Sequence, residues 1–459
     1  MSVRDSGLGT RDSDRRVSIV GAGLAGSLLA ILLARKGWKV ELFERFADPR
    51  RSTVPAGRSI NLALAERGRE ALREAGMLRE IERIALPMAG RLLHDEQGNT
   101  RLQRYGQRDD EVIWSVHRGL LNIALLDGAE QAGVKIHFDR RLESADFSRQ
   151  HLDFVDQENR QYGHDFDLVI GADGAGSALR QAMNEVSPLG IDEQPLGHGY
   201  MELTIPPGPD GTFLMKPDAL HIWPRGGFMM IALPNPDGSF TCTLFLDNDA
   251  EPGFHQLDTA DKKRAFVEQH FPDAVSLMPD LDRELAENPV GYLATLYVDR
   301  WHLDDKAVLL GDAAHAIVPF HGQGMNAAFE DTVALTRLLD EHDISQATLE
   351  RFFVERKPNA DAIAAMALDN YLEMRDRVRD PRFHLNKALE WELEKRLPDV
   401  YVPRYAMVMF HPEIPYAEAL ERGERQQQLL ERLTAGHESL ESIDIDQAVS
   451  LARNALKEP

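Results

Sequence analysis

The sequence VSIVGAGLAG, residues 17–26, decides the fold of this chain. Its first four residues are largely apolar and predict a β-strand, its glycines predict a tight turn, and the residues from Ser27 to Arg35 predict a helix. A second predicted strand, residues 39–43, ends at Glu44, 18 positions after the last glycine. This is the dinucleotide-binding pattern G-x-G-x-x-G in its strand, turn and helix context, so we expect a Rossmann-like α/β domain.

Each residue of this pattern has its own physical role. Gly21 makes the tight turn, Gly23 lets a pyrophosphate reach the backbone, and Gly26 lets the helix pack on the strand. Glu44 is expected to accept hydrogen bonds from a ribose. Because its charge would repel a 2′-phosphate, the site suits the adenosine of FAD or NAD rather than that of NADP.

A second informative segment is GDAAHAIVPFHGQGMNAAFED, residues 311–331. It follows the apolar residues 307–310, so its Gly-Asp pair lies at the carboxyl end of a strand, where open α/β sheets bind ligands. The two glycines of PFHGQG let backbone N–H groups point at a bound ring or anion. From Met325 onward the segment predicts a helix whose N-terminus favours the negative charge of a reduced flavin. Taken alone, the segment also fits an ordinary strand-loop-helix connection.

A third segment, GADGAGS at residues 171–177, follows a short apolar strand and precedes a predicted helix. It lacks the complete glycine pattern, and its spacing does not suit a second Rossmann turn. The three segments together indicate a chain that wraps FAD and has no separate domain for a nicotinamide cofactor.

The composition limits the class of protein. The 459 residues are enough for two or three domains, and the net charge of -23 disfavours nucleic acid and anionic membranes as partners. The single cysteine, Cys242, cannot form an internal disulfide, which indicates a reducing compartment. We expect Cys242 to be a small buried apolar residue. No cysteine or histidine spacing predicts a metal site. The uncharged run at residues 17–34 has the length of a membrane span, but its glycines and the strand after it favour the nucleotide fold.

These segments, together with SVHRGLLN at residues 115–122, resemble the single-component FAD-dependent aromatic hydroxylases of the para-hydroxybenzoate hydroxylase type. More specific strings resemble the kynurenine 3-monooxygenase family, and the match runs from about Arg16 to about Ala419. These strings are GRSINLALAERGR (57–69), HGYMELTIP (198–206), LHIWPR (220–225), FMMIALPN (228–235) and FTCTLF (240–245). By them the chain is identified as a bacterial-type member, without the hydrophobic C-terminal anchor of animal members.

The resemblance implies a reaction that the cofactor largely carries out. NADPH would reduce a tightly bound FAD, O2 would form the flavin C4a-hydroperoxide, and one oxygen would pass to L-kynurenine to give 3-hydroxykynurenine in tryptophan catabolism. The protein has to position the ring and exclude water. With no hydrophobic anchor expected, we predict a cytoplasmic protein, as a monomer or homodimer. The net charge further predicts that neither a membrane nor nucleic acid is a partner.

The resemblance also assigns residues to the cofactor. The residues implied for FAD are Gly21, Gly23, Leu24, Gly26 and Glu44 at the adenosine and pyrophosphate, Ala63, Arg118 and Leu142 as further contacts, Asp312 near the ribityl chain, and Met325 and Asn326 beside the isoalloxazine. Arg118 suits this role because a guanidinium pairs bidentately with phosphate oxygens. Without the resemblance it would be interpreted as a solvated surface charge.

A smaller set of residues is implied for the substrate. These are Arg91, Tyr105, Asn370 and Tyr405 for binding, with Phe320 and His321 as the catalytic pair that positions the ring. Arg91 and the Tyr105 hydroxyl would hold the amino-acid carboxylate. Animal relatives commonly have phenylalanine in place of His321, which leaves its role open. Without the resemblance the two tyrosines would be interpreted as core or interface aromatics.

The docking site of NADPH does not follow from these motifs. A dinucleotide phosphate needs a local positive patch on so acidic a chain. The loop with Arg45, Arg50, Arg51 and Arg58 is one hypothesis, and a solvated loop is the alternative.

We expect an interleaved organisation. The FAD-binding domain would take residues 1–75, 107–184 and 292–370, a mostly antiparallel β-sheet substrate domain residues 76–106 and 185–291, and a helical C-terminal region residues 371–459. Predicted strands at 220–224, 227–234 and 239–245 indicate the second sheet, and amphipathic runs at 426–433 and 447–456 indicate the helices.

Two other functions remain open from the sequence. A related flavoprotein hydroxylase of another aromatic acid would keep every FAD motif and differ at the substrate residues. A non-catalytic FAD-fold binding protein would have little reason to build the loop at residues 319–326, although a fold alone does not prove activity.

Overall fold

The computed structural model describes residues 15–51, 61–375 and 380–456. Within these ranges the chain has a mixed α/β fold with a six-stranded sheet, a seven-stranded sheet, two three-stranded sheets and a helical C-terminal region. None of the helices in these ranges combines the length and the apolarity needed to cross a membrane. Arg58 and the start of the string at residues 57–69 lie outside the described residues.

The strands follow one another along the described ranges. They are β1 (Arg16–Val20), β2 (Lys39–Phe43), β3 (Asn61–Leu64), β4 (Ala85–Met88), β5 (Gly90–His94), β6 (Thr100–Arg104), β7 (Ile113–His117), β8 (Lys135–His137), β9 (Arg141–Asp146), β10 (His151–Val155), β11 (Gln161–Asp165), β12 (Val169–Gly171), β13 (Ile191–Ile205), β14 (Leu220–Pro224), β15 (Met229–Pro234), β16 (Phe240–Asp247), β17 (Gly291–Val298), β18 (His302–Leu303) and β19 (Ala307–Leu309).

The helices are distributed over the whole chain and dominate its last hundred residues. They are α1 (Leu24–Arg35), α2 (Glu66–Glu74), α3 (Leu78–Glu82), α4 (Arg118–Gln131), α5 (Ala178–Val186), α6 (Ala260–His270), α7 (Pro272–Val275), α8 (Leu281–Glu287), α9 (Asp312–His315), α10 (Gly324–Glu341), α11 (Gln346–Arg375), α12 (Pro381–Arg396), α13 (Arg404–Phe410), α14 (Tyr416–Leu433) and α15 (Ile445–Leu456).

The six-stranded sheet brings the three glycine-rich segments together. Its strand order is β18-β19-β12-β1-β2-β8, and β1, β2, β12 and β19 run parallel. Because parallel strands end at the same edge of a sheet, the turns after Val20, Gly171 and Leu309 lie side by side. The predicted strands at residues 17–20 and 39–43 are confirmed.

The helix α1 is buried nearly all round because it lies between the parallel sheet and the helices α4 and α10. It begins at Leu24, three residues earlier than the sequence predicts. Gly26 therefore stands in the first turn of the helix, where its missing side chain allows close packing rather than ending the element.

The seven-stranded sheet has the order β17-β13-β16-β15-β14-β5-β6. It is antiparallel except for the parallel pair of β14 with β5. The predicted strands at residues 220–224, 227–234 and 239–245 are found as β14, β15 and β16, with ends that differ by one or two residues. Cys242 lies fully buried in β16, and burial raises the pKa of its thiol, as expected for a packing residue.

The two faces of this sheet meet different partners. One face packs its apolar residues against α6, α7 and α8. The other face packs against the loop around Phe320 and against α11. The seven-stranded sheet is therefore joined by a shared apolar core to the segment 319–326, which we call the flavin-side loop because the sequence predicts it there.

Two segments pack differently from the domain boundaries expected from the sequence. Met77, Ile81 and Ala85 lie in the core of the FAD-binding part, and β4 pairs with β7 rather than with the seven-stranded sheet. The strand β17 pairs with β13 as far as Val298. Neither change has a local sequence signal, because strand pairing joins residues that are distant along the chain.

The C-terminal helices form a small core of their own. Residues of α12, α14 and α15 pack together around Leu389, Leu393 and Tyr401. The predicted helices at residues 426–433 and 447–456 are the ends of α14 and of α15, and Gly436 separates them at a φ of +80°. The helix α13 links this region to apolar residues of α10 and α11, among them Ala327 and Ile363.

Candidate functional site

The turn after β1 has the geometry that a pyrophosphate requires. Gly21 adopts a φ of +102°, and a Cβ added there would lie 2.4 Å from the carbonyl oxygen of Ala172. A Cβ on Gly26 would lie 1.9 Å from the carbonyl oxygen of Gly21. A Cβ on Gly23, in contrast, would meet no described atom within 4 Å. Gly21 and Gly26 are therefore needed for packing, and Gly23 faces open space where phosphate oxygens can approach.

The same turn supplies donors for an anion. The helix α1 starts at Leu24 without a side-chain cap, so N–H groups of its first turn remain available. Glu44 already accepts hydrogen bonds from the N–H groups of Ala22, at 2.9 Å, and Phe46, at 3.0 Å. A carboxylate offers about four lone-pair positions, so Glu44 can also accept from a ribose hydroxyl. These observations fit the adenosine and pyrophosphate half of FAD.

The Gly-Asp turn places a carboxylate beside the start of α10. Gly311 has a φ of +57°, and the exposed Asp312 follows it as the first residue of α9. The Oδ1 atom of Asp312 lies 3.9 Å from the position that a Cβ on Gly324 would take. Asp312, the loop glycines and the first turn of α10 thus border one region, with the half-buried Met325 next to Gly324.

Asn326 is engaged within the protein rather than turned to a ligand. Its Nδ2 donates to the carbonyl oxygens of Ala63, at 2.9 Å, and Gly322, at 3.0 Å, and its Oδ1 accepts from the N–H of Ala65, at 3.0 Å. Asn326 therefore ties β3 to the flavin-side loop. It keeps Ala63, another residue expected at the flavin, against this loop.

The remaining expected FAD contacts lie in different settings. Arg118 is exposed at the start of α4, and no hydrogen bond or ion pair of its side chain is found among the described residues. Its guanidinium is thus open to a phosphate. Leu142 is buried in the apolar core together with β1 and α1, so its side chain packs within the protein.

The four residues expected at the substrate come together around one buried guanidinium. Arg91, on β5, lies 3.5 Å from the Oδ1 of Asn370, and its guanidinium carbon lies 4.8 Å from the ring centre of Tyr405. The ring centres of Tyr105 and Tyr405 lie 5.8 Å apart in a stacked arrangement, and Arg91 acts electrostatically on both tyrosines. These four residues come from β5, the segment after β6, α11 and α13. We call them the clamp.

The electrostatics of the clamp favour an anionic ligand. Burial opposes the charge of Arg91, but Tyr405, Glu373 and Tyr105 outweigh it and raise its pKa. Burial also raises the pKa of both tyrosines, so their hydroxyls stay protonated and can donate. The nearest carboxylate, Glu373, is 3.7 Å from Arg91, which is beyond a close ion pair. A buried arginine with an incomplete partner suits a ligand carboxylate.

Phe320 and His321, the pair expected to position the substrate ring, lie next to the clamp. Phe320 and His321 belong to a single 3-10 turn, Pro319–His321. The carbonyl oxygen of Phe320 accepts from the Nδ2 of Asn370 at 2.6 Å, and the imidazole of His321 stacks on Tyr405 at 5.4 Å. Burial lowers the pKa of His321 to about 3, so its ring is neutral near pH 7.

A cavity of about 300 Å³ opens at the clamp. Its walls include Arg91, Tyr105 and Tyr405 on one side and residues of α12, among them Lys387 and Trp391, on the other. The residues 319–326 do not line it. The cavity therefore reaches the clamp from the side away from the flavin-side loop, and α12 forms its outer wall.

In the arginine loop considered for NADPH, one of the guanidinium groups already binds carboxylates of the protein. Arg50 donates to Asp48 at 2.8 Å, Asp127 at 2.9 Å and Glu130 at 2.8 Å, so its guanidinium is already neutralised. Arg51 is exposed and lies 3.5 Å from Asp48, and Arg58 lies outside the described residues. The contacts of Arg50 speak against its binding a dinucleotide phosphate.

Comparisons with known proteins agree with this geometry. The model of the family described as FAD binding domain matches residues 14–367. The kynurenine 3-monooxygenase of Stenotrophomonas maltophilia (strain K279a) is 55% identical over 434 residues, which cover 94% of this chain and 95% of that protein. The chain belongs to the kynurenine 3-monooxygenase family. The kynurenine 3-monooxygenase of Xanthomonas axonopodis pv. citri (strain 306) is 53% identical over 433 residues, 94% of this chain and 95% of the relative.

Solved structures support the fold of this kynurenine 3-monooxygenase family member. The tetrameric form of 2-methyl-3-hydroxypyridine-5-carboxylic acid oxygenase matches with a TM-score of 0.64 at 20% identity, covering 88% of this chain and 98% of that one. The predicted α/β fold with its Rossmann-like FAD-binding part is confirmed, and FAD is the cofactor. The open space at Gly23, the uncapped start of α1 and the exposed Asp312 fit that cofactor.

Several residues at this site of the kynurenine 3-monooxygenase family member were not predicted from the sequence. Glu373 approaches Arg91 from α11, three residues after Asn370, and this spacing on a helix could have indicated a shared face. Asp331, Arg356, Glu330 and Arg67 form a chain of ion pairs in which only Glu330 is partly exposed. No local pattern could have revealed that chain, because its members come from α10, α11 and α2.

Proposed function

We propose that this protein is a flavoprotein monooxygenase that hydroxylates L-kynurenine to 3-hydroxykynurenine with NADPH and O2. The observation that carries the proposal is the hydrogen bond from Asn370 to the carbonyl oxygen of Phe320, at 2.6 Å. This hydrogen bond fixes the position of the clamp relative to the loop that is expected at the flavin edge. The names of the curated relatives support the same substrate.

The clamp would determine the orientation of the substrate. The Arg91 guanidinium would bind the amino-acid carboxylate, and the protonated hydroxyls of Tyr105 and Tyr405 would donate further hydrogen bonds to it. A bidentate contact fixes the direction in which the rest of the molecule extends. The aromatic ring would then lie at Phe320 and His321, next to the expected position of the isoalloxazine.

The ring-facing side would exclude water and supply a flat wall. The ring centre of Phe320 lies 4.1 Å from that of Tyr371 and 4.9 Å from that of Phe245. All three residues are buried. His321 is neutral at working pH and therefore adds no charge beside the substrate ring. An apolar enclosure of this kind limits unproductive loss of a reactive oxygen species to water.

Bound FAD would supply the redox chemistry, accepting hydride from NADPH and activating O2 for transfer to the ring carbon ortho to the aniline nitrogen. The turn at Gly23 and the first turn of α1 would hold the pyrophosphate. Asp312 and the first turn of α10 would border the ribityl chain and the isoalloxazine. Arg118 would provide a guanidinium for a phosphate oxygen.

We further propose that the enzyme works in the cytoplasm as a monomer or homodimer. The single cysteine, buried as Cys242 in β16, suits a reducing compartment. The high negative charge disfavours nucleic acid and anionic membranes as partners.

The decisive experiment is NADPH oxidation by the purified, FAD-loaded protein in aerated buffer, with and without L-kynurenine. Strong stimulation together with a product heavier by one oxygen atom is expected. Stimulation that yields only hydrogen peroxide would make L-kynurenine an effector rather than a substrate. No stimulation by L-kynurenine, but stimulation by another aromatic acid, would replace the proposed substrate and leave the flavoprotein hydroxylase reaction in place.

A further inference from the structure

A row of polar side chains leads from solvent to the buried clamp. In β6 and the residue after it, Arg101, Gln103 and Tyr105 stand at alternate positions and line the cavity, and Arg104 lines it as well. Gln103 lies directly opposite Arg91 in the antiparallel pair of β5 and β6. Arg101 is exposed, Gln103 is half-buried and Arg91 is buried, so the row descends from the mouth of the cavity to the clamp.

The positive charge at the mouth is not neutralised by neighbouring carboxylates. Among the described residues, no hydrogen bond or ion pair of the Arg101 side chain is found. Two of the three carboxylates that line the cavity have close partners of their own, since Glu390 lies 2.9 Å from Lys387 and Glu394 accepts from Gln107 at 2.7 Å. The third, Glu373, lies at the inner end, 3.7 Å from Arg91. The neighbouring Arg104 lies 2.8 Å from Asp109. Arg101 therefore presents an open guanidinium to the cavity.

Aromatic side chains stand at the same mouth. Phe383 and Trp391 of α12 line the cavity, and the backbone carbonyl of Trp391 accepts from the Nε2 of Gln107 at 2.9 Å. An open guanidinium next to flat aromatic surfaces matches a small aromatic molecule that carries a carboxylate.

We propose that Arg101 and Gln103 form an outer binding station for the carboxylate of the incoming aromatic amino acid, which then passes inward to Arg91. This inference rests on the proposed function. Its physical reason is the overall charge, since a chain with a net charge of -23 repels a carboxylate unless a local cation lies on its path. The station acts on association, whereas Arg91 holds the substrate in place for reaction.

Loss of the outer station should slow the association of substrate without slowing the reaction of bound substrate. Replacing one steering cation lowers kcat/KM about three- to tenfold at low ionic strength. At saturating substrate kcat stays within about twofold, because the outer station is not occupied during the reaction. At about 1 M salt the Debye length falls to roughly 3 Å, so the difference from the parent protein disappears.

The test uses the FAD-loaded full-length chain and its Arg101→Gln and Arg101→Glu variants. Stopped-flow association of L-kynurenine, followed by the flavin absorbance, and steady-state kcat/KM are measured at low and high salt. Arg149→Gln is the matched control, because Arg149 is also exposed but lies in the turn between β9 and β10. The decarboxylated analogue of L-kynurenine is the second control, since it lacks the group that Arg101 would attract.

The inference is supported if both Arg101 variants slow association of L-kynurenine, Arg101→Glu more strongly, while Arg149→Gln and the decarboxylated analogue show no such effect. It is overturned if the parent protein hydroxylates L-kynurenine and the Arg101 variants retain its association rate at low salt. Arg101 is then a charge on an edge strand only. A parent protein that neither binds nor hydroxylates L-kynurenine overturns the proposed function, and this inference with it.

Discussion

The carboxylate of Asp331 accepts a hydrogen bond from the N–H of Gly311 at 3.0 Å, although the two residues are twenty positions apart. The same carboxylate accepts from the Nε2 of His315 at 2.5 Å and from the Nε of Arg356 at 2.7 Å. Burial alone would raise the pKa of Asp331, but His315 and Arg356 outweigh burial and lower it. A buried, ionised carboxylate on α10 thus holds the turn that presents Asp312.

Replacing Asp331 by asparagine should weaken both the fold and FAD binding. The variant leaves Arg356 with a buried charge that is only partly compensated by Glu330, at 3.2 Å. Removing one partner of a buried ion pair costs about 3 to 5 kcal/mol of the free energy of unfolding. Denaturant unfolding and FAD titration of the apoprotein measure the two effects. Glu341→Gln, an exposed change on the same helix, should cost less than about 1 kcal/mol. Equal losses in both variants would contradict the role of Asp331.

Gly26→Ala and Gly23→Ala should separate folding from cofactor binding. At Gly26 the new methyl group would lie 1.9 Å from the carbonyl oxygen of Gly21, so the turn has to move and the apoprotein melts at a lower temperature. At Gly23 no described atom lies within 4 Å of the new group, so the apoprotein keeps its melting temperature. The methyl group instead occupies pyrophosphate space, and FAD should bind at least about tenfold more weakly, or about 1.4 kcal/mol. A Gly23→Ala apoprotein with unchanged FAD affinity would remove the pyrophosphate from this turn.

Arg91→Leu should weaken L-kynurenine binding by about 1.5 to 3 kcal/mol, the range for hydrogen bonds to charged groups. Arg91→Lys keeps the charge but loses the planar fork, so its affinity should fall between those of the parent and of Arg91→Leu. Titration of the oxidised holoprotein measures the dissociation constant without turnover. Unchanged affinity in Arg91→Leu would exclude Arg91 from the substrate site.

His321 should make the holoprotein less stable in acid. Burial lowers the pKa of its imidazole to about 3 in the folded state, against an ordinary value of 6.5. Between these values the unfolded chain binds a proton that the folded chain does not bind. The free energy of unfolding therefore falls with falling pH, by at most about 1.4 kcal/mol per pH unit. His321→Phe removes this contribution, and its unfolding should depend less steeply on pH between 6.5 and 4.5.

The control for the acid effect is His255→Gln, because His255 is exposed. Its unfolding should follow the parent curve over the same pH range. If His321→Phe also follows the parent curve, burial does not lower the pKa of His321 in the folded protein, and the expected acid effect is refuted.

The predictable part of the fold consists of local patterns. Apolar alternation and glycine spacing predict β1, β2 and the strands of the second sheet, because these signals lie within a few neighbouring residues. The start of α1 differs from prediction because Gly26 serves packing against Gly21 rather than ending a turn. The pairing of β17 with β13 was not predicted, since the two strands are separated by α6, α7 and α8.

The site was predictable only where a family resemblance supplied the assignment. Arg91 stands in a short strand with no motif of its own, and its role follows from the approach of Tyr405 and Asn370 in three dimensions. Asn326 was expected in the loop beside the flavin, and the structure adds that its side chain holds this loop by hydrogen bonds to Ala63, Ala65 and Gly322. Arg101 and Asp331 have no sequence signal, because their significance depends on which groups do or do not reach them after folding.

The thirty-residue helix α11 carries Arg356, which anchors Asp331, and also Asn370 of the clamp. The two positions are fourteen residues apart along the helix, or about 21 Å at 1.5 Å per residue. The clamp and the anchor of Asp331 therefore move together whenever α11 moves. A change that tilts α11 at Asn370 would also shift Arg356 and the Asp331 carboxylate that holds the Gly311 turn. Divergence in substrate size should therefore accumulate in β6 and α12, which border the cavity without bracing the flavin side.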